Sequence, residues 1–184
     1  ENVIELPRRK IDRIAFIPET TRIAAACDKQ PEQKQPYGIS VIDLVRGKEI
    51  SFAQTKARAG TSFTVSKSGT AYMASAEDSQ IYALNLKNAG ASVKSITSRN
   101  KSPVIALSED ETQLAVAGNE TLDTYKTSDL RLLSSWPLPA GFETETLLIL
   151  PEKDSFILAP KLLNSAPAIT FRNENAKSFG DKSY

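Results

Sequence analysis

Residues 103–117 read PVIALSEDETQLAVA, which is two short apolar segments on either side of a polar turn. Val, Ile, Leu and Ala dominate both segments, and neither shows the sustained apolar stripe of a helix. The residues between them, 108–111, are Ser, Glu and Asp, which are common in turns between strands. The stretch therefore predicts two neighbouring antiparallel strands.

The same pattern occurs three more times, in residues 13–27, 61–75 and 146–159. We align the four copies on the last apolar residue before each turn, with spacings of 48, 42 and 43 residues. These aligned residues are Ile17, Val65, Leu107 and Leu150. A repeat of this length indicates a solenoid or a propeller.

A second pair of strands is predicted after each of the first three pairs, in residues 38–52, 80–96 and 121–136, where apolar and polar side chains alternate with period two. Four strands in about 40 to 45 residues is the size of one β-propeller blade. The sequence thus predicts an all-β propeller of four-stranded antiparallel blades, with four blades present. Their predicted bounds are 7–55, 61–97, 103–136 and 145–172, followed by a polar tail or linker, 173–184, without a strand pattern.

Residues 66–72 (SKSGTAY) and 108–117 (SEDETQLAVA) resemble the Ser-Pro-Asp-Gly turn and the strand after it in WD-repeat propellers. The resemblance covers nearly the whole chain and implies the propeller fold. The Gly-His and Trp-Asp dipeptides of the typical WD repeat are absent from every unit.

Two architectures fit four such units. In a closed ring of four blades, residues 2–6 would supply the missing outer strand beside residues 168–171. In the other architecture the chain is part of a larger ring. We favour the larger ring, because the outer strand of the fourth unit is missing and the sequence starts with Glu1 instead of Met.

Composition excludes several functions. The chain has no His and one Cys, Cys27, which removes His-dependent catalysis and both disulfide and cysteine zinc sites. Lys and Arg number 23 against 22 Asp and Glu, so nucleic-acid binding is not expected, and no apolar run is long enough for membrane insertion. We interpret Cys27 and Trp136 as packing residues, and Glu109, Asp110, Glu111, Glu152 and Asp154 as solvated turn residues. No catalytic, cofactor or metal residue is assigned.

Two loops that join an outer strand to the next blade are basic, and both are expected on one face of a propeller. They carry Lys56, Arg58, Arg99 and Lys101, which we predict to bind a partner, and the Gln- and Pro-rich insert 28–36 is expected beside them. The predicted function is a non-catalytic module for protein–protein interaction or regulation. Its partner would be another protein, the rest of its own propeller or a second copy. The alternative is a fragment of a propeller enzyme, a hydrolase or a quinone- or metal-dependent enzyme, whose site is completed by missing blades.

Overall fold

The computed structural model consists of β-strands and turns, with no helix in the part of the chain that it describes. The chain divides into two compact units, Glu1–Thr97 and Ser98–Tyr184. The described residues are 10–29, 36–75, 77–87, 93–151, 155–161, 168–172 and 177–178.

Unit 1 contains two four-stranded antiparallel sheets, each a meander in chain order. The first sheet is β1 (Ile11–Phe16), β2 (Arg22–Cys27), β3 (Gly38–Asp43) and β4 (Lys48–Gln54). The second sheet is β5 (Ala59–Val65), β6 (Thr70–Ser75), β7 (Gln80–Asn85) and β8 (Lys94–Thr97).

Unit 2 repeats this arrangement with two more sheets. The third sheet is β9 (Val104–Leu107), β10 (Gln113–Ala117), β11 (Thr121–Lys126) and β12 (Leu132–Pro137). The fourth sheet is β13 (Thr144–Ile149), β14 (Ser155–Pro160), β15 (Ile169–Arg172) and β16 (Lys177–Ser178). The prediction of four consecutive four-stranded antiparallel sheets is confirmed.

The fourth strand of the last sheet corrects one detail of the sequence analysis. Lys177 and Ser178 pair with Thr170 and Ile169, so the tail that we predicted to lack a strand supplies this edge. Residues 2–6, which we considered for the same place in a closed ring, lie outside the described residues.

The pairing between the first two strands of each sheet also shifts our alignment of the repeat by one residue. The main-chain N–H of Ile17 bonds Arg22 across the turn, and the N–H of Leu150 bonds Ser155, whereas Ser66 and Ser108 make this bond in the second and third sheets. A one-residue shift moves a side chain to the other face of a strand. The structurally equivalent residues are therefore Phe16, Val65, Leu107 and Ile149.

In unit 1 the core lies between the first and second sheets. Ala24 and Ala26 of β2 lie in this core with larger side chains of the second sheet, such as Met73 and Tyr82. Five of the alanines in the second strands of the first three sheets are buried, which is consistent with close packing of neighbouring sheets. They are Ala24, Ala26, Ala74, Ala115 and Ala117.

In unit 2 the core lies between the third and fourth sheets and contains an aromatic group. The ring of Trp136 lies 5.7 Å from that of Phe156 and 6.5 Å from that of Phe171, in tilted arrangements that aromatic pairs prefer. Trp136 therefore packs between sheets, as predicted. Cys27 of unit 1 is also buried, with its Sγ 3.4 Å from the carbonyl oxygen of Ala25.

Candidate functional site

The four predicted partner-binding residues lie in two loops, each between the fourth strand of one sheet and the first strand of the next. Lys56 and Arg58 lie between β4 and β5, in what we call the first basic loop, residues 55–58. Arg99 and Lys101 lie between β8 and β9, in the second basic loop, residues 98–101. The first loop belongs to unit 1 and the second to unit 2, so each is described separately.

Lys56 lies at the edge of an open groove of about 530 Å³ in unit 1, which we call the Lys56 groove. The described ends of the insert 28–36, Lys29 and Pro36, line one side of the groove, and residues at the end of the first sheet line another. The ends of the insert thus lie beside Lys56 as expected. Residues 30–35 are outside the described residues. The lining side chains are Lys29, Pro36, Tyr37, Gln54, Thr55, Lys56 and Val93.

Tyr37 is held in place at the wall of the Lys56 groove. Its hydroxyl donates a 2.7 Å hydrogen bond to Oε1 of Glu77. This bond, together with burial and the charge of Glu77, raises the pKa of Tyr37. The bond to Glu77 holds the ring in place, so that it offers a fixed apolar surface.

Arg58 is engaged in an ion cluster, which we define as Lys10, Asp12, Asp28 and Arg58. The guanidinium binds Asp12 of β1 through two hydrogen bonds, Nε to Oδ2 at 2.9 Å and Nη2 to Oδ1 at 3.1 Å. Its Nε also lies 3.9 Å from Oδ2 of Asp28, and these carboxylates, Asp12 first, raise the pKa of Arg58. Arg58 is thus charged, but nearby carboxylates balance its charge.

Lys29 and Lys56 are the charged side chains among the described residues that line the groove. Both are exposed. The sequence analysis named Lys56 and Arg58 alike as partner-binding residues, and it placed Lys29 within the insert without assigning it a role. The sequence does not show that Asp12 pairs with Arg58, because the two residues are 46 positions apart. They come together only because β1 runs beside the loop that precedes β5.

The second basic loop is anchored by Asn100, whose side chain is completely buried. Its Nδ2 donates to the carbonyl oxygen of Thr121 at 3.0 Å, and its Oδ1 accepts from the backbone N–H groups of Glu120 and Thr121, both at 3.0 Å. The side chains of Arg99 and Lys101 are exposed on either side of this anchor. Neither forms an ion pair with the residues that the structure describes.

Lys101 borders a small pocket of about 140 Å³ within unit 2. The pocket also contains Glu143 and Lys161, which form a 3.2 Å ion pair with each other. Its charge is therefore mixed, and its size suits a few water molecules better than a protein segment. The Lys56 groove is the larger of these two surfaces.

Among the acidic turn residues named above, Asp110 has structural partners. Asp110 accepts hydrogen bonds from the side chain of Ser108 and from the backbone and hydroxyl of Thr112, so it stabilises the β9–β10 turn. Glu152 and Asp154 lie outside the described residues. No group of three or more Cys, Asp or Glu residues suited to a metal ion occurs in the described ranges.

The sequence analysis did not single out Asp123, whose carboxylate is buried. Asp123 of β11 accepts hydrogen bonds from the hydroxyl groups of Ser135, at 2.5 Å, and Thr121, at 3.0 Å. Burial, reinforced by the charge of Asp123, raises the pKa of the neighbouring Tyr125 to about 12. Because its oxygens are bonded within the third sheet, Asp123 is a structural residue of that sheet.

Comparison with known proteins identifies the fold but no family. No protein family matches the sequence, and no curated protein does either. The chain is similar in structure to the hydrazine synthase of Kuenenia stuttgartiensis, with a TM-score of 0.67 and 14% sequence identity. The match covers 85% of this chain and 44% of that chain, so this chain spans less than half of the solved structure.

At this identity the likeness shows the fold alone. Together with the four antiparallel sheets, it confirms the predicted class, an all-β propeller-like fold. Membership of the WD-repeat family is not shown. In the described residues, no helix is long and apolar enough to span a membrane.

Proposed function

We propose that this chain is a non-catalytic propeller module that binds another protein, and that the Lys56 groove receives an acidic, extended segment of that partner. The observation that carries the proposal is the groove itself, whose two charged lining residues in the described part of the chain are Lys29 and Lys56. Two exposed cations beside apolar surface favour a segment with carboxylates and an apolar side chain.

The chemistry of the groove sets the expected kind of binding. Pro36, Tyr37 and Val93 supply apolar contact area, and the hydrogen bond from Tyr37 to Glu77 reduces the entropy lost on binding. Lys29 and Lys56 would act mainly by attracting the acidic segment, since exposed charges contribute more to association rate and specificity than to affinity. Binding should therefore weaken as salt rises.

The proposal is tested with a labelled peptide of about ten residues in which Glu alternates with Leu and Tyr. The same peptide with Gln in place of Glu is measured beside it. The double variant Lys29→Glu and Lys56→Glu should bind the acidic peptide at least about tenfold more weakly at low salt. Lys48→Glu, which reverses an exposed charge at the start of β4, is the control and should change little. Equal losses in the two variants would place the binding surface elsewhere.

The second basic loop is tested in the same assay. If Arg99 and Lys101 contribute to binding, as the sequence analysis predicts, the pair Arg99→Glu and Lys101→Glu should also weaken the acidic peptide. Arg58→Gln should have a smaller effect than Lys56→Gln, because Asp12 already balances its charge.

The alternative function is part of a propeller enzyme. It is supported by the name of the similar structure, a synthase, and by the fact that this chain spans 44% of it. Enzyme sites in such folds can take residues from several blades, so the present sheets would hold only some of them. A longer natural protein with carboxylate or His residues at the centre of its remaining blades would favour this alternative over the interaction module.

A further inference from the structure

The first sheet exposes two large apolar side chains on one face of its edge strand. Ile14 and Phe16 of β1 are 61% and 71% exposed. They lie two residues apart and pair with Ala25 and Ile23 of β2, so they point to the same side of the sheet. Such a pair on a strand is a candidate contact surface.

The equivalent residues in other sheets show what normally covers this face. In the second sheet they are Phe63 and Val65, which pack in the core shared with the first sheet. In the fourth sheet they are Leu147 and Ile149, which pack in the core shared with the third sheet. In both units this side of a sheet, which we call the preceding face, contacts the sheet that comes before it in the chain.

The opposite side, the following face, is exposed on the fourth sheet. Leu148 of β13 is 53% exposed. Its equivalents in the first and third sheets are Ala15 and Ala106, which pack against the cores shared with the second and fourth sheets. Leu148 therefore occupies a position that elsewhere in the chain contacts the next sheet.

We infer that the following face of the fourth sheet binds the preceding face of the first sheet in a second copy of this chain. A second copy fits these faces because the chain already forms this kind of interface twice, between the first and second sheets and between the third and fourth. The preceding face of the first sheet and the following face of the fourth sheet are thus the two sides of such an interface, and both are exposed. Two copies joined in this way contain eight sheets, a number that propellers reach.

This inference does not depend on the proposed function. The Lys56 groove is formed by loops at the end of the sheets, whereas Ile14, Phe16 and Leu148 lie on sheet faces. A contact between different surfaces of identical chains is heterologous, and it stops at two copies only if both contacts form in one closed assembly. A single substitution is present in both copies, so it should remove both contacts at once.

Light scattering of the purified chain gives the first test. The expected mass is twice the 20.1 kDa of one chain. Phe16→Asp and Leu148→Asp should each give a monomer. Both positions are largely exposed, so the variants should keep the far-ultraviolet circular dichroism of the parent. Val45→Asp, at a residue 78% exposed in the β3–β4 turn, is the matched control and should remain a dimer.

Mixing the two variants decides how the copies meet. A Phe16→Asp copy still offers Leu148, and a Leu148→Asp copy still offers Phe16, so the mixture should recover one native interface and associate. A monomeric parent at about 100 μM, which is expected if another protein's sheet fills this role, overturns the inference. So does a dimer that Leu148→Asp leaves intact, or a mixture that stays monomeric.

Discussion

The two basic loops have the same sequence arrangement but carry their charges differently. Lys56-Ala57-Arg58 and Arg99-Asn100-Lys101 each place two cations around a buried residue. In the first loop Asp12 balances the charge of Arg58, whereas in the second loop both cations lie exposed beside Asn100. The net charge of a short loop thus depends on residues that are distant in sequence.

The buried middle residues differ as well. Ala57 is apolar, and its carbonyl oxygen accepts a 2.9 Å hydrogen bond from the hydroxyl of Thr55. Asn100 instead ties its loop to the backbone at the start of β11. Gly118 makes this possible, because a Cβ at that position would lie 2.5 Å from the Cβ of Asn100. The first loop is therefore held mainly by packing and ions, and the second by an amide.

The largest effect that separates the loops is expected for Asn100→Ala. This change leaves two backbone N–H groups and one carbonyl oxygen without their partner, so it should lower the free energy of unfolding by about 2 kcal/mol. Thr55→Val removes one bond to Ala57 in the first loop and should cost about 1 kcal/mol. Urea unfolding measures both, and equal losses would contradict the contrast.

The sheets could be predicted because their signal is local and repeated. Alternation of apolar and polar residues with turns at regular spacing is sufficient to place four strands in each of the first three units. The one-residue error at Ile17 and Leu150 arose because these turns begin with an apolar residue followed by Pro, where the other two begin with Ser. A strand of two residues, such as β16, is too short to show a period at all.

The site was harder to predict because its properties depend on tertiary contacts. The loops and the exposed lysines could be named from the sequence, since their turns and charges are local. The pairing of Arg58 with Asp12 and the burial of Asn100 could not, because each depends on a strand elsewhere in the fold. Polar residues in a loop give no sign in the sequence of whether they face water or a neighbouring backbone.

The substitution Asp12→Asn removes the acid that balances Arg58, so it makes the first loop resemble the second. Asp12→Asn should cost less than about 1 kcal/mol of stability, because Arg58 is partly exposed to solvent. The unbalanced cation should tighten binding of the acidic peptide by roughly twofold to threefold at low salt, and the gain should disappear at high salt.

A matched variant tests whether position or only net charge matters. Glu19→Gln removes the same charge in the turn that follows β1, where Glu19 pairs with Lys67 at 3.2 Å. If Glu19→Gln and Asp12→Asn tighten peptide binding equally, the effect comes from the total charge of the chain, and the ion cluster has no special influence on the first loop.

The smallest expected effect is a difference in acid sensitivity. The hydrogen bond from Lys10 lowers the pKa of Asp28 from its ordinary value of 3.8, against the opposing effect of burial. A carboxyl with a lowered pKa in the folded state stabilises the fold above its unfolded pKa, and this contribution is lost as the pH falls through the folded pKa. Asp28→Asn should therefore cost about 0.5 kcal/mol at pH 7, and this cost should shrink below pH 3.8.

The second loop supplies the control for this pH dependence. The side chain of Asn100 does not titrate, so the loss caused by Asn100→Ala should be nearly the same at neutral and acid pH. Urea unfolding of the parent and both variants between pH 7 and about pH 3 gives the two differences directly. A loss for Asp28→Asn that does not shrink in acid would show that its bond to Lys10 adds nothing through charge.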